Sequence, residues 1–208
     1  NGFTIVLTLT TEDMNSLKEN VAVATSLSNI VVLTSGLAFT DLLGRPVIAV
    51  ASVDEYTMSF VPDTTAPTLT SAVLSMNSGE LYLTFSETMD SAKLNETGII
   101  LVNEPNGSIR LRIDGLGASS PSTPSTEIVI GLSIANLNEI KSLGALGTNV
   151  NNTFVSIDSF TIVDMNTNPV ERLDVLTPLQ VRDVIDDITN PTLVSFDLDM
   201  DNEVLTLT

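Results

Sequence analysis

The sequence predicts an all-β fold: tandem antiparallel β-sandwich units of about 124 residues, each with one short helix. Three observations carry this reading: segments whose apolar residues alternate with period two, turn residues between those segments, and an internal repeat. The repeat is the strongest. At a shift of 124, residues 63–84 align without a gap with residues 187–208, and 11 of the 22 positions are identical. Pro67 falls on Pro191, Leu74 on Leu198, Met76 on Met200 and Leu81 on Leu205. At a shift of 123, Ile5 and Val6 fall on Ile128 and Val129, and Leu9, Asn15 and Lys18 fall on Leu132, Asn138 and Lys141. The same shift places 41–47 on 164–170. A period this long exceeds that of solenoid units, so each repeat reads as a domain in an array.

Residues 1–62 are then the C-terminal part of one repeat, 63–186 a complete repeat, and 187–208 the first strands of the next. The chain opens in one strand-like run and stops inside another, so it reads as a window cut from a longer chain and lacking its targeting signals. The junctions at 62–67 and 186–191 are short and contain proline. Proline fixes its own φ and biases the preceding residue towards extended backbone, which predicts stiff linkers.

Within the central repeat, Ala72, Leu74 and Met76 share one face of a first strand, and Leu81, Leu83 and Phe85 one face of a second. Asn77, Ser78 and Gly79 mark the turn between them. Ile109, Leu111 and Ile113 alternate with Arg110 and Arg112, which predicts a strand with its arginines in water. Ile128, Ile130 and Leu132 repeat the pattern, as do Phe160 with Ile162 and Leu173 with Val175. Seven or eight such strands suit two packed sheets. One helix is predicted around Leu137, Ile140 and Leu143, after Ser133; its copy begins at Thr10, a capping residue followed by Glu12 and Asp13. The stretch 115–126, rich in Gly, Ser, Thr and Pro, is predicted to be an exposed mobile loop.

Composition removes whole classes of function. The chain has 8 Lys and Arg against 26 Asp and Glu, a net charge of −18, which repels phosphate backbones and excludes nucleic acid as a partner. It holds no His, Cys or Trp, so imidazole acid–base chemistry, thiol nucleophiles, disulfides and the usual zinc sets are absent. No apolar run approaches the roughly 20 residues of a membrane-spanning helix, so no membrane insertion is expected within this segment.

Two motifs carry a resemblance. Residues 83–90 read LTFSETMD after a proline-led first strand, and residues 164–169 read DMNTNP before the last strands, with 41–46 as their copy. Together they resemble the Ig-like domain family first associated with bacterial surface-layer proteins, whose members read roughly TFSExMD followed by DxxGNP. Here Thr167 stands where the family has Gly before Asn168, while the copy has Gly44 followed by Arg45, and the helix segment is longer than the family's loop. The resemblance implies an extracellular or cell-surface Ig-like sandwich in a repetitive adhesin, stalk, coat or filament, without enzyme activity.

Among candidate sites, Asp63, Asp186 and Asp187 lie at the junctions, and Glu87 and Asp90 follow the second strand. Calcium takes six to eight oxygen ligands, so these carboxylates are candidate calcium ligands that would clamp neighbouring repeats; no other cofactor is implied. The run from Asp197 to Asn202 has the spacing of an EF-hand loop but lacks its Gly and Glu, and Phe196, Leu198 and Met200 alternate with the acids as in a strand. Asn95, Asn106 and Asn151 open N-glycosylation sequons, which a chain rich in Asn, Ser and Thr also produces by composition alone. Glu87 with Asp90 is the nearest pairing for a glycosidase, but the aromatic platforms that hold sugars are scarce. The expected partners are neighbouring repeats of the same chain and other copies in a filament or coat. The alternative is a glycan- or ligand-binding module using loops at one end of the sandwich.

Overall fold

The computed structural model describes residues 4–50, 59–117 and 123–208. In chain order the elements are α1 (Thr11–Glu19), β1 (Leu69–Ser75), β2 (Glu80–Met89), β3 (Ile99–Val102), β4 (Arg110–Arg112), β5 (Ser125–Gly131), α2 (Ile134–Leu143), β6 (Phe154–Ile157), β7 (Leu179–Gln180), β8 (Asp183–Ile185), β9 (Phe196–Asp199) and β10 (Val204–Leu207). The fold is mostly β. One four-stranded sheet has the order β5-β2-β1-β8, a second has the order β4-β3-β6-β7, and β9 and β10 pair separately.

Period-two alternation explains how the sheets pack. Along β1 and β2, Leu74, Leu81, Leu83 and Phe85 turn inward, and β5 adds Ile128 and Ile130. From the other sheet come Leu101, Leu111, Val155 and Ile157, and all join one cluster of buried side chains. Burying each such side chain stabilises the fold by about 1.5–3 kcal/mol. Every buried hydrophobic residue among the described ones lies between Leu69 and Val181. The β1–β2 hairpin closes through Gly79, whose φ of +71° suits a residue without a side chain. On α2, the Ser133 hydroxyl accepts from the Asn136 N–H at 3.0 Å, and the helix stops at left-handed Gly144. On α1, Thr10 and Asp13 form a reciprocal capping box.

Local geometry recurs at the spacings of the sequence repeat. Leu198 faces Leu205 in the β9–β10 hairpin as Leu74 faces Leu81 in β1–β2, a shift of 124. At a shift of 123, the isolated bridge Thr34–Val50 recurs as Ile157–Leu173, and Thr40–Pro46 as Val163–Pro169. The surroundings differ sharply. Leu74 and Leu81 are wholly buried, whereas Leu198 and Leu205 are 58% and 57% exposed.

Three expectations need amending. The strands are not all antiparallel, because β8 runs parallel to β1, with Leu74 beside Val184. Phe160 and Ile162 form no strand: the Thr161 N–H closes a turn on the Asp158 carbonyl, and the neighbouring Val163 and Asp164 make isolated bridges, to Pro169, which has no N–H to extend the ladder, and to Met89. Leu173 makes a single bridge to Ile157 rather than a strand through Val175. Of the predicted loop 115–126, residues 118–122 lie outside the described residues, and Ser125 and Thr126 belong to β5. No helix among the described residues is long and apolar enough to cross a membrane.

The unequal surroundings of Leu81 and Leu205 give a paired test by chemical denaturation. Leu81→Ala should lower unfolding stability by about 2–4 kcal/mol, as for other fully buried leucines. Leu205→Ala should stay within about 0.5 kcal/mol of the unaltered chain.

Candidate functional site

The linker before β1 is gripped from three sides. Residues 164–168 form a tight turn in which the buried Asp164 carboxylate accepts from the backbone N–H of Asn166 at 2.8 Å and of Asn168 at 2.7 Å. Its second oxygen accepts from the Asn168 side chain at 2.8 Å. That same side-chain amide donates to the Asp63 carbonyl at 3.1 Å, tying turn to linker. Thr167 adopts a φ of +68°, the position where the resembling family carries Gly, and the copy's Gly44 has a φ of +77°. Asp41 holds its own turn as Asp164 does, accepting from the N–H groups of Leu43 and Arg45, both at 2.9 Å.

Strand β2 supplies the second side. Its pairing with β5 shifts register between Thr84 and Met89, and after Ser86 three successive residues, Glu87, Thr88 and Met89, are buried. The alternation that buries Leu81, Leu83 and Phe85 carries on to Glu87, and the irregular stretch adds the burial of Thr88, which strict alternation would send to water. Helix α1 supplies the third side. Its Asn15 carbonyl accepts from the Thr88 hydroxyl at 3.2 Å, and the Lys18 ammonium reaches both Asp63, at 2.5 Å, and Glu87.

Asp63, Glu87 and Asp164 thus converge, each presenting a carboxylate oxygen within 4.8 Å of the other two. Three acids this close could hold a metal ion. Their protonation follows from the surroundings. Burial opposes the charge of Lys18, but hydrogen bonds to Asp63 and Glu87 outweigh it and hold the ammonium above the ordinary lysine value. Burial likewise opposes the charge of Asp63, but Lys18 and the Thr65 N–H prevail and hold it below the ordinary aspartate value. For Glu87 burial wins over Lys18, with help from the nearby Asp63 and Asp164 charges, and its pKa is raised.

Of the five acids singled out in the sequence, Asp63 and Glu87 meet here. Asp90 instead caps the short turn 91–93, accepting from the Ala92 N–H at 3.1 Å. Asp187 lies at the other junction, 2.7 Å from Lys141, and Asp186 is exposed beside it. The sequons at Asn95, Asn106 and Asn151 are all exposed. Asp164 and Lys18 were not among the candidates, although the sequence held a signal for the lysine. Two of only three lysines in the chain, Lys18 and Lys141, stand 123 residues apart, and each pairs with the acid that opens the next segment. Comparison of the chain with family models, curated proteins and solved structures finds no match.

The clamp should be visible in a pH series of thermal melts. The contribution of Lys18 is complete below the unfolded lysine pKa, about 10.4, and is lost as pH climbs through its higher folded value. That of Asp63 is present above about 3.9 and lost as pH falls through its lower folded value, while Glu87 runs the opposite way and favours the folded form on protonation. Lys18→Met should remove the alkaline loss and lower stability at neutral pH by about 1–2 kcal/mol, because Glu87 is left buried without its partner. An alkaline limb identical in both proteins would contradict the assignment.

Proposed function

We propose that this chain is part of a non-enzymatic array of Ig-like β-sandwich units that serves as structural or adhesive material in an extracellular surface protein, stalk, coat or filament. The observation that carries the reading is the recurrence of one junction. Lys18 pairs with Asp63 and Lys141 with Asp187, so a lysine on the helix of one segment holds the acid that opens the next, twice along the chain. The recurring hairpin register and the recurring Asp41 and Asp164 turns support it, as does the resemblance to the surface-layer-type family. Catalysis finds little support in the acids: Asp164 is engaged by three N–H donors, Asp63 and Glu87 by Lys18, and Asp90 by a turn. The location can be tested with antibodies against residues 63–186 applied to intact source cells. Labelling without permeabilisation is the expected result; labelling only after permeabilisation would overturn an extracellular array.

In this reading Lys18 supplies the positive charge at the junction that the sequence alone suggested for calcium. Melts in calcium and in chelator should therefore coincide for the unaltered chain. In Lys18→Met, where three carboxylates face one another without a counter-charge, added calcium should raise the melting temperature. A calcium-dependent melt of the unaltered chain would instead favour the metal clamp.

A further inference from the structure

The site before β1 presses a primary amine against one carboxyl group while a second carboxyl group touches the same amine. Lys18 Nζ stands 2.5 Å from Asp63 Oδ2 and also contacts Glu87 Oε2. A carboxyl carbon lies about 1.2 Å from its oxygens, which puts the amine within about 3.7 Å of the Asp63 Cγ. Bond formation starts from separations of about 3–3.5 Å.

The contact is held from every side. Lys18 rides on α1, whose start is fixed by the Thr10–Asp13 capping box and whose Asn15 carbonyl accepts from the Thr88 hydroxyl. The Asp63 carbonyl accepts from the Asn168 side chain at 3.1 Å, and its Oδ1 accepts from the Thr65 N–H at 2.9 Å. Glu87 lies on β2, in the row that faces the core. The Lys18, Asp63 and Glu87 side chains are only 19%, 21% and 11% exposed, so little water competes for amine or acid.

Each oxygen of Asp63 faces a group that acyl transfer requires. Oδ1 already has an N–H donor, which would stabilise the negative charge that collects there when the carbon becomes tetrahedral. Oδ2 lies on the side of Lys18, where it can gain protons and leave. Glu87 touches the amine and has an oxygen within 4.8 Å of an Asp63 oxygen. Burial strengthens its hold on a proton, which suits a base that takes one from nitrogen and passes it to oxygen.

We infer that Lys18 and Asp63 condense into a side-chain amide, with Glu87 relaying the protons, so that the ion pair is the precursor of a covalent link between α1 and the linker. Glu87 first moves a proton from the ammonium to Oδ2, leaving a neutral amine against a neutral acid. The nitrogen lone pair then forms the N–Cγ bond while a carbonyl electron pair moves onto Oδ1. A second proton passes from nitrogen through Glu87 to Oδ2, the Cγ–Oδ2 bond breaks, and Oδ2 departs as water. Ammonium and carboxylate charges cancel in the neutral amide, so no oxidant, reductant or cofactor takes part. Well-oriented intramolecular partners reach effective molarities of about 10⁵–10⁸ M, which stands in for an activating reagent. Ion pairing keeps Lys18 protonated and Asp63 ionised, the unreactive forms, and this makes the step slow. The chain reacts once, with itself, and turns over no substrate.

Intact-mass measurement on the denatured 208-residue chain tests the link. Chain incubated folded at neutral pH should become lighter than its sequence by one water, whereas chain kept in denaturant since synthesis should keep its full mass. Digestion should release one branched species that joins the peptides of Lys18 and Asp63. Lys18→Arg keeps the charge without the nucleophile and should keep its full mass; Asp63→Asn should link with loss of ammonia in place of water. Glu87→Gln should slow linking by at least about tenfold, and Glu87→Asp, which restores a carboxyl group, should recover part of the rate. The unfolding transition of the central core checks that every variant is folded. Full mass in the folded unaltered chain, or an equal loss of water from Lys18→Arg, overturns the link. The array does not depend on it: without the amide the junction stands as an ion pair, and the alkaline limb of Lys18, which belongs to the unlinked chain, should persist instead of fading as mass is lost.

Discussion

Water excluded from between two pleated faces sets the terms for the rest of the molecule. Leu74, Leu81 and Leu83 on one sheet, and Leu101, Val155 and Ile157 on the other, can reach their dry contact only if strands of both sheets hold one register, since a slip by one residue would send every inward side chain out. That requirement fixes where β2 must end its regular pairing. Beyond Thr84 the regular pairing with β5 is interrupted, while the inward row of Leu81, Leu83 and Phe85 continues to Glu87 and places an acid at the edge of the oily layer. Glu87 is tolerated there because a lysine from a different part of the chain arrives to meet it.

The junction is therefore a consequence of the core as much as an addition to it. Asp164 shapes a turn with its carboxylate, the turn holds the linker carbonyl through Asn168, and the linker acid completes the site for Lys18. Each contact restrains backbone that proline has already stiffened. A flexible tether between segments would need none of these bonds; a tether that fixes orientation needs several.

Much of the fold was legible because alternation and turns are local. The β1–β2 hairpin, β5 and both helices follow from spacing and capping residues, and the recurrence of Leu74 at Leu198 foretold a recurring hairpin. β3 and β6 left no such trace: Ile99–Val102 and Phe154–Ile157 are runs with almost every side chain covered, so no polar face marks their period. The parallel pairing of β8 with β1 was illegible for another reason, since it joins residues more than a hundred positions apart. The acid cluster was half legible. Asp63 and Glu87 stood out by position, and Glu87 continues the inward row of Leu81, Leu83 and Phe85, but the turn that buries Asp164 is a product of tertiary packing.

The parallel neighbours β1 and β8 have a mechanical meaning. The strand by which the chain enters the core and the strand by which it leaves lie side by side and run the same way, joined by bonds such as Arg182 N–H to the Ala72 carbonyl and Met76 N–H to the Ile185 carbonyl, both at 2.8 Å. Tension drawn along the polypeptide pulls these two strands past each other in opposite senses. The bonds between them then share the load together, in shear, instead of opening one by one like a zip.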